Sequence, residues 1–211
     1  MKNLIRILFI ASMAMILSAC AFGNKHSYHD VFANLEAKGT LVVAVTSHDQ
    51  RDYVLSGNKS PVFVGIQRGG YGNPFDVLTE SGNPLAHDIT ESVAKSLSKN
   101  GFKVIQVASS HSDDRLSLIN KLKEMDADRL LIFTIYEWKS DTYQNTALIY
   151  NLNAEIMDSE GKILGKAEVK GRDDLRGSFL NPAGHAKEVI PVAFREKIEM
   201  LINSEQISNA L

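Results

Sequence analysis

Two short runs that are apolar at every position constrain the fold of this chain more than any other feature of the sequence. Leu41-Val42-Val43-Ala44-Val45, and Leu130-Leu131-Ile132-Phe133 continuing to Ile135, are short, β-branched-rich and without the alternation of a half-wet strand. Each is therefore expected as a central strand covered on both faces. At 211 residues and 44% hydrophobic content, the chain has material for one sizeable core, not two. The one cysteine, Cys20, has no partner in the chain, so the fold must stand on packing without an internal disulfide.

Around those two strands the remaining patterns arrange themselves. Val62, Val64 and Ile66 alternate with Phe63, Gly65 and Gln67 after Pro61, a second strand signal, and Gly69, Gly70 and Gly72 then require a loop from Arg68 to Asn73. Asn83-Pro84 reads as N-cap and first helical position, with Leu85, Ile89, Val93 and Leu97 on one face and a stop at Asn100-Gly101. Lys103 to Val107 is a short strand. Ser112 with Asp113 and Asp114 opens a second helix, with a stripe at Leu118, Ile119, Leu122 and Met125.

After the Leu130 to Trp138 strand, Leu148, Tyr150, Leu152, Ala154 and Ile156 alternate with Asn151, Asn153 and Glu155. Asp158-Ser159-Glu160-Gly161 turns the chain, and Lys162 to Gly171 returns with Ile163, Ala167 and Val169 inward. Pro182 to Ile202 has helical spacing, with a bend or restart expected at Pro191. The fold class is α/β (α+β): a mixed, largely antiparallel sheet with two to three helices packed on one face in two layers.

The first residues are of another kind. Lys2 and Arg6 flank the start of an apolar run, Ile7 to Leu17, that gives way to Ser18 and Ala19, the order of a secretory signal. From Ile7 to Phe22 the run falls short of the roughly 20 residues a spanning helix needs. Leu17-Ser18-Ala19-Cys20 resembles a lipobox, where a diacylglycerol is attached to the cysteine sulfur before cleavage. Several acyl chains on one residue anchor a protein stably, whereas one binds only marginally. The resemblance implies a signal peptide over 1–19 and lipidation at Cys20; the small and polar residues that follow, with no helix or strand period, read as a tether over 20–38 with a brief helical turn at Val31 to Lys38, ahead of a single periplasmic domain over 39–211. Ala21 in place of Asp after the cysteine implies passage to the outer membrane, whose inner leaflet faces the periplasm.

Charge narrows the function. The net charge is −2 and Lys2 and Arg6 leave with the leader, so the rest is more acidic still, which argues against nucleic acid as a partner. His48, Asp49 and Arg51 sit together at a strand end, but a solvated turn explains them. The glycine-rich tract lacks the lysine and helix of a phosphate loop and reads as a hairpin tip offering Tyr71 and Phe75 for contact. The six histidines are scattered, and His111 with Asp113 and Asp114 reads as a helix start, so neither a metal nor a cofactor is expected. Trp138, Tyr143 and Tyr150 straddle a turn, with Trp138 and Tyr143 as candidate recognition aromatics.

The lipobox, the strand ending in Asp49-Gln50-Arg51, the helix ending in Asn100-Gly101-Phe102, and the segment from Trp138 through Asp141-Thr142-Tyr143 to Gly171-Arg172-Asp173 together resemble the YajG-like lipoproteins of Gram-negative bacteria. The resemblance implies an α/β periplasmic domain without known catalytic residues. The reading that follows is a non-enzymatic envelope module, membrane-bound through Cys20, that binds an envelope protein or self-associates. Two alternatives are a glycan- or lipid-binding domain using Tyr71, Phe75 and Trp138, and a hydrolase resting on His48, Asp49 and His87.

Overall fold

The computed structural model describes residues 24–108, 119–120 and 124–211. The leader with Cys20, the residues up to Gly23, His111 and most of the helix expected from Ser112 lie outside the described residues. In chain order the elements are β1 (Lys25–His26), β2 (Val42–Asp49), α1 (Asp52–Leu55), β3 (Phe63–Arg68), β4 (Pro74–Thr79), α2 (Leu85–Lys99), β5 (Lys103–Gln106), β6 (Arg129–Thr142), β7 (Asn145–Asp158), β8 (Ile163–Gly177), α3 (Pro182–Ile202) and α4 (Glu205–Ser208).

The strands form one mixed sheet with β6 as its axis. One edge of β6 pairs antiparallel with β7 along its length, and β7 pairs antiparallel with β8. The other edge is divided: β2 lies parallel to Arg129–Ile135, and β3 lies parallel to Ser140–Thr142. Beyond β2 comes β5, and beyond β3 come β4 and then β1. The sheet therefore forks where β2 stops and β3 has not begun, beside a bulge of β6 between Ile135 and Glu137. The antiparallel β6-β7-β8 meander expected from the alternation is present, and its ladders hold most of the paired residues.

A fork exposes backbone groups that neither branch can pair, and buried carbonyls need donors. Arg51 supplies them. Its fully buried guanidinium donates to the carbonyls of Phe63 (2.6 Å), Pro61 (3.2 Å) and Trp138 (3.4 Å), while Nε and Nη2 hold both oxygens of Asp49 at 2.8 and 2.6 Å. Where β3 closes on β6, Gly65 lies against Ser140 so tightly that a Cβ would collide with it.

The all-apolar runs are explained by a covered surface on each side of the sheet. Val43, Val45, Leu131, Phe133 and Ile135 face the main core with α2 and α3, meeting Leu85, Ile89, Val93 and Leu97 from α2 and Ile190, Phe194, Ile198 and Leu201 from α3. The alternate residues Ala44, Leu130 and Ile132 join Val107, Ala127 and Met157 in a second, smaller cluster. On β7 the five residues expected inward are all buried. Helix α2 ends at Asn100 with Gly101 at φ 96°, as the Asn-Gly stop required. Its start is shifted: Pro84 is the extended cap residue and Leu85 the first helical one. Helix α3 is capped by Asn181, which accepts from the Gly184 amide at 2.9 Å, and it runs unbroken through Pro191. Lys197 pins it to the sheet, with Nζ 2.6 Å from Asp173 and 4.6 Å from the centre of the Tyr150 ring.

The stretch expected as a tether belongs to the folded body. β1 pairs with β4, and Tyr28, Ala33 and Leu35 are buried in the main core, so the domain begins before residue 39. No helical turn forms at Val31 to Lys38. The amide of Ala33 instead donates to Ser96 on α2, and Ser92 donates to the Val31 carbonyl. Small polar residues around scattered aromatics concealed this, because the segment packs as an irregular strap with no period of its own. β4, whose pattern Pro74-Phe75-Asp76-Val77 is masked by the preceding glycines, was likewise not legible.

Candidate functional site

Three connections emerge at one end of the sheet. Gln67 pairs with Thr142, Thr142 with Thr146, and Asn145 with Gly177. Hence the β3–β4 tip (residues 69–73), the β6–β7 turn (143–144) and the loop before α3 (178–181) lie side by side. The tip is fastened to the turn: Arg68 makes a bidentate pair with Asp141 (2.8 and 2.7 Å), and the Tyr143 hydroxyl donates to the Gly70 carbonyl at 3.2 Å. Hydrogen bonds from Arg68 hold the Asp141 carboxyl below the usual carboxylate range. Phe75, half-buried, lays its ring over Gly69.

Of the four aromatics singled out from the sequence, the structure brings Tyr71, Phe75 and Tyr143 to this end and places the fourth elsewhere. Tyr71 is 103% exposed and Tyr143 44%. Next to them, Phe179 and Leu180 are 83% and 92% exposed, the largest values among the other big apolar side chains. They were overlooked, although an apolar pair between Gly177-Ser178 and Asn181-Pro182, in a loop with no strand or helix period, is a readable sign. An open cleft of about 450 Å³ lies beside the turn, lined by Tyr143, Asn145, Arg172 and Asp174 among others.

Trp138 is not part of any recognition surface: it is fully buried. Its ring meets Tyr28 and Phe194 edge to face at centroid distances of 6.0 and 5.6 Å, and its indole N–H donates to the Tyr28 hydroxyl at 3.1 Å. A buried indole needs one acceptor, and the strap formerly read as tether supplies it. Burial also raises the Tyr28 pKa, so this hydroxyl stays neutral.

Of the groups considered for acid–base work, Asp49 with Arg51 is built into the fold. Asp49 and Arg51 do not form a solvated turn. Burial opposes the Arg51 charge, but the bonds from Asp49 outweigh it and raise its pKa above the ordinary value. His87, Asp88 and Glu91 converge at the start of α2, with ligand atoms within 4.8 Å of one another. Asp88 is buried, which raises its pKa, and both its oxygens accept from Ser81 (2.7 and 2.9 Å), while Glu91 pairs with Lys95 at 2.8 Å. His26, in β1, is buried with its Nε2 3.3 Å from Ser140, and desolvation, helped by Lys187, pushes its pKa down to about 4. Among the described residues, no helix is long and apolar enough to cross a membrane.

Among the described residues, the architecture defines an α+β domain with a forked eight-stranded sheet, α2 and α3 on its main core face and an apolar edge at one end. No protein-family model and no curated protein sequence matches the chain. Among solved structures, it is similar to protein XCC0632 of Xanthomonas campestris, family DUF330 (TM-score 0.47, 14% identity, covering 89% of this chain and 98% of that one). It is also similar to a PelC dodecamer from Paraburkholderia phytofirmans (TM-score 0.46, 15% identity, 84% and 94% covered). A third is lipoprotein GNA1162 from Neisseria meningitidis (TM-score 0.32, 14% identity, 75% and 99% covered). These are distant likenesses in chain path, and no residue role transfers from them.

Proposed function

We propose that the chain is a lipid-anchored envelope lipoprotein whose domain is a non-enzymatic binding or assembly module. The observation that carries this reading is the placement of Leu17-Ser18-Ala19-Cys20 four residues ahead of Asn24, which is already bonded into the sheet through Gln67 and Leu78. A domain so close to its lipid works at a membrane surface, and the Ala21 that follows the cysteine fits the inner leaflet of the outer membrane, facing the periplasm. An affiliation with the YajG-like lipoproteins rests on the short motifs alone. Of the polar groups that suggest chemistry, Asp49 is engaged in holding the fold through Arg51. Binding therefore falls to the exposed end, with an envelope protein or a second copy of the chain as partner.

Mass spectrometry of Cys20, with fractionation of cells expressing Cys20→Ala, tests the anchor. The intact chain should carry acyl groups and sediment with membranes, and Cys20→Ala should be released; an unmodified cysteine refutes the reading. In-cell photocrosslinking from Asn73 tests the partner. One discrete adduct is expected, and a smear without a defined species counts against a specific partner. A second reading is favoured by the cleft beside Tyr143, where an aromatic face next to Asn145, Arg172 and Asp174 is suited to a polar glycan. Co-sedimentation with peptidoglycan that is lost in Tyr143→Ala would select it.

A further inference from the structure

The two apolar surfaces left most open to water, Tyr71 on the β3–β4 tip and Phe179-Leu180 before α3, flank the same end of the sheet. That is also the end from which the chain enters the fold. β1 runs parallel to β4, and β4 leads away from the tip, so Asn24 lies on the tip side of β1, with its side chain donating to Gln67 and its carbonyl accepting from Leu78. From the level of Asn24 to Pro74, where the tip begins, is about 10 Å at roughly 3.3 Å per strand residue. Cys20 stands four residues before Asn24, so its Cα can be no farther than about 14 Å from that of Asn24, and its sulfur no farther than about 17 Å, even fully extended.

Those two lengths leave little freedom. The opposite end of the sheet, at the β7–β8 turn, lies ten residues along β7 from Leu148, which shares the level of Asn24 through β4, β3 and β6, about 33 Å at the same rise per residue. A lipid on Cys20 cannot reach a bilayer at that end, but it reaches one level with the tip. We propose that this end is a membrane-docking surface. Tyr71, Phe179 and Leu180 enter the headgroup and glycerol region of the phospholipid leaflet that holds the acyl chains of Cys20. Aromatic rings suit that zone, where one part of the ring is dry and the hydroxyl wet. The Arg68–Asp141 pair keeps the tip rigid and locally neutral, so insertion depends on apolar contact more than on lipid charge. The inference rests on lipidation of Cys20, and it adds the orientation of the domain: β3, β6 and β8 point their C-terminal ends at the bilayer.

The test uses the full-length protein purified from membranes and placed in vesicles of phosphatidylethanolamine and phosphatidylglycerol brominated near the glycerol end of the acyl chains. Three variants carry a reporter: Tyr71→Trp, Phe179→Trp and, at the far turn, Glu160→Trp. Buried Trp138 gives all three the same background. The acyl groups on Cys20 are first verified by mass. The expected result is that Tyr71→Trp and Phe179→Trp lose roughly half of their reporter emission to the bromines, as for side chains seated at the interface, while Glu160→Trp loses none. If Cys20 is acylated and the tip reporters are quenched no more than Glu160→Trp, the docking surface is refuted and the lipid anchor stands. If the mass shows no acyl group, both fall. Quenching strongest at Glu160→Trp would invert the orientation and refute the proposal as well.

Discussion

The fork of the sheet and its open end are both rich in aromatic residues, yet they are opposite in physical character. At the fork, Tyr28, Trp138 and Phe194 meet edge to face within 5.1 to 6.0 Å, sealed by a fully buried arginine. At the open end, Tyr71 and the Phe179-Leu180 pair touch mostly water, while the polar contacts beneath them, Arg68 with Asp141 and Tyr143 with Gly70, are fixed. Aromatic content alone therefore says nothing about role. What differs is whether the neighbouring backbone needs closing: the fork has unpaired carbonyls to satisfy, and the end has loops whose own hydrogen bonds are already made.

The contrast can be broken most forcefully at the fork. Arg51→Ala should cost about 3–5 kcal/mol, because it strands a largely covered Asp49 carboxylate and three carbonyls. Trp138→Ala should cost a similar 3–5 kcal/mol through the cavity it leaves. Urea unfolding of the soluble Cys20→Ser chain measures both, and a loss below about 1 kcal/mol for either would place that residue outside the stabilising centre.

A pH titration gives the next largest effect. His26 is held near 4 in the fold against 6.5 when free, so the folded chain keeps it neutral where the unfolded chain binds a proton. The stability this represents is complete above pH 6.5 and drains away as pH falls toward 4, by roughly 3 kcal/mol in full. Asp88, with its raised pKa, works in the other direction and gains on acidification. His26→Phe should therefore be less sensitive than the parent between pH 7 and 4 when unfolding midpoints are compared. Equal sensitivity would assign the acid response to other groups.

At the open end the effects should be the smallest. Tyr71→Ser, Phe179→Ser and Leu180→Ser should each change unfolding free energy by less than about 0.5 kcal/mol. Within that end, the clamp should register more than the rings it supports. Arg68→Met should weaken the tip only slightly, since the pair is open to solvent and screened by it. A Tyr71 substitution that destabilised as much as Trp138→Ala would erase the distinction between the two regions.

Much of this was readable in advance, and the failures have physical causes. The all-apolar runs, the alternation along β7 and the Asn100-Gly101 stop are local signals, and each produced the expected element. Trp138 was misread because its neighbours Lys139 to Thr142 are polar, as a surface turn would be, yet β6 runs on through them to Thr142. Arg51 was misread for a similar reason. Charge next to a turn means exposure in most chains, and here it is a plug demanded by two strands sharing one edge of a third. Nothing within a few residues of Arg51 announces that geometry. The strap from Asn24 to Lys38 has no period, so its burial depended on where α2 and β4 would lie.

The order of residues by itself settled most of the long strands, helices α2 and α3, the antiparallel meander, and a cysteine set just behind an apolar leader, because periodicity, turn chemistry and sequence position are properties of neighbours along the chain. Which aromatics would be dry and which wet, which charges would be buried, and that the chain's entry point shares an end with Tyr71 and Phe179 were decided by strand order and the fork. Those facts join residues separated by up to a hundred positions or more, and only the packed sheet brings them within contact distance.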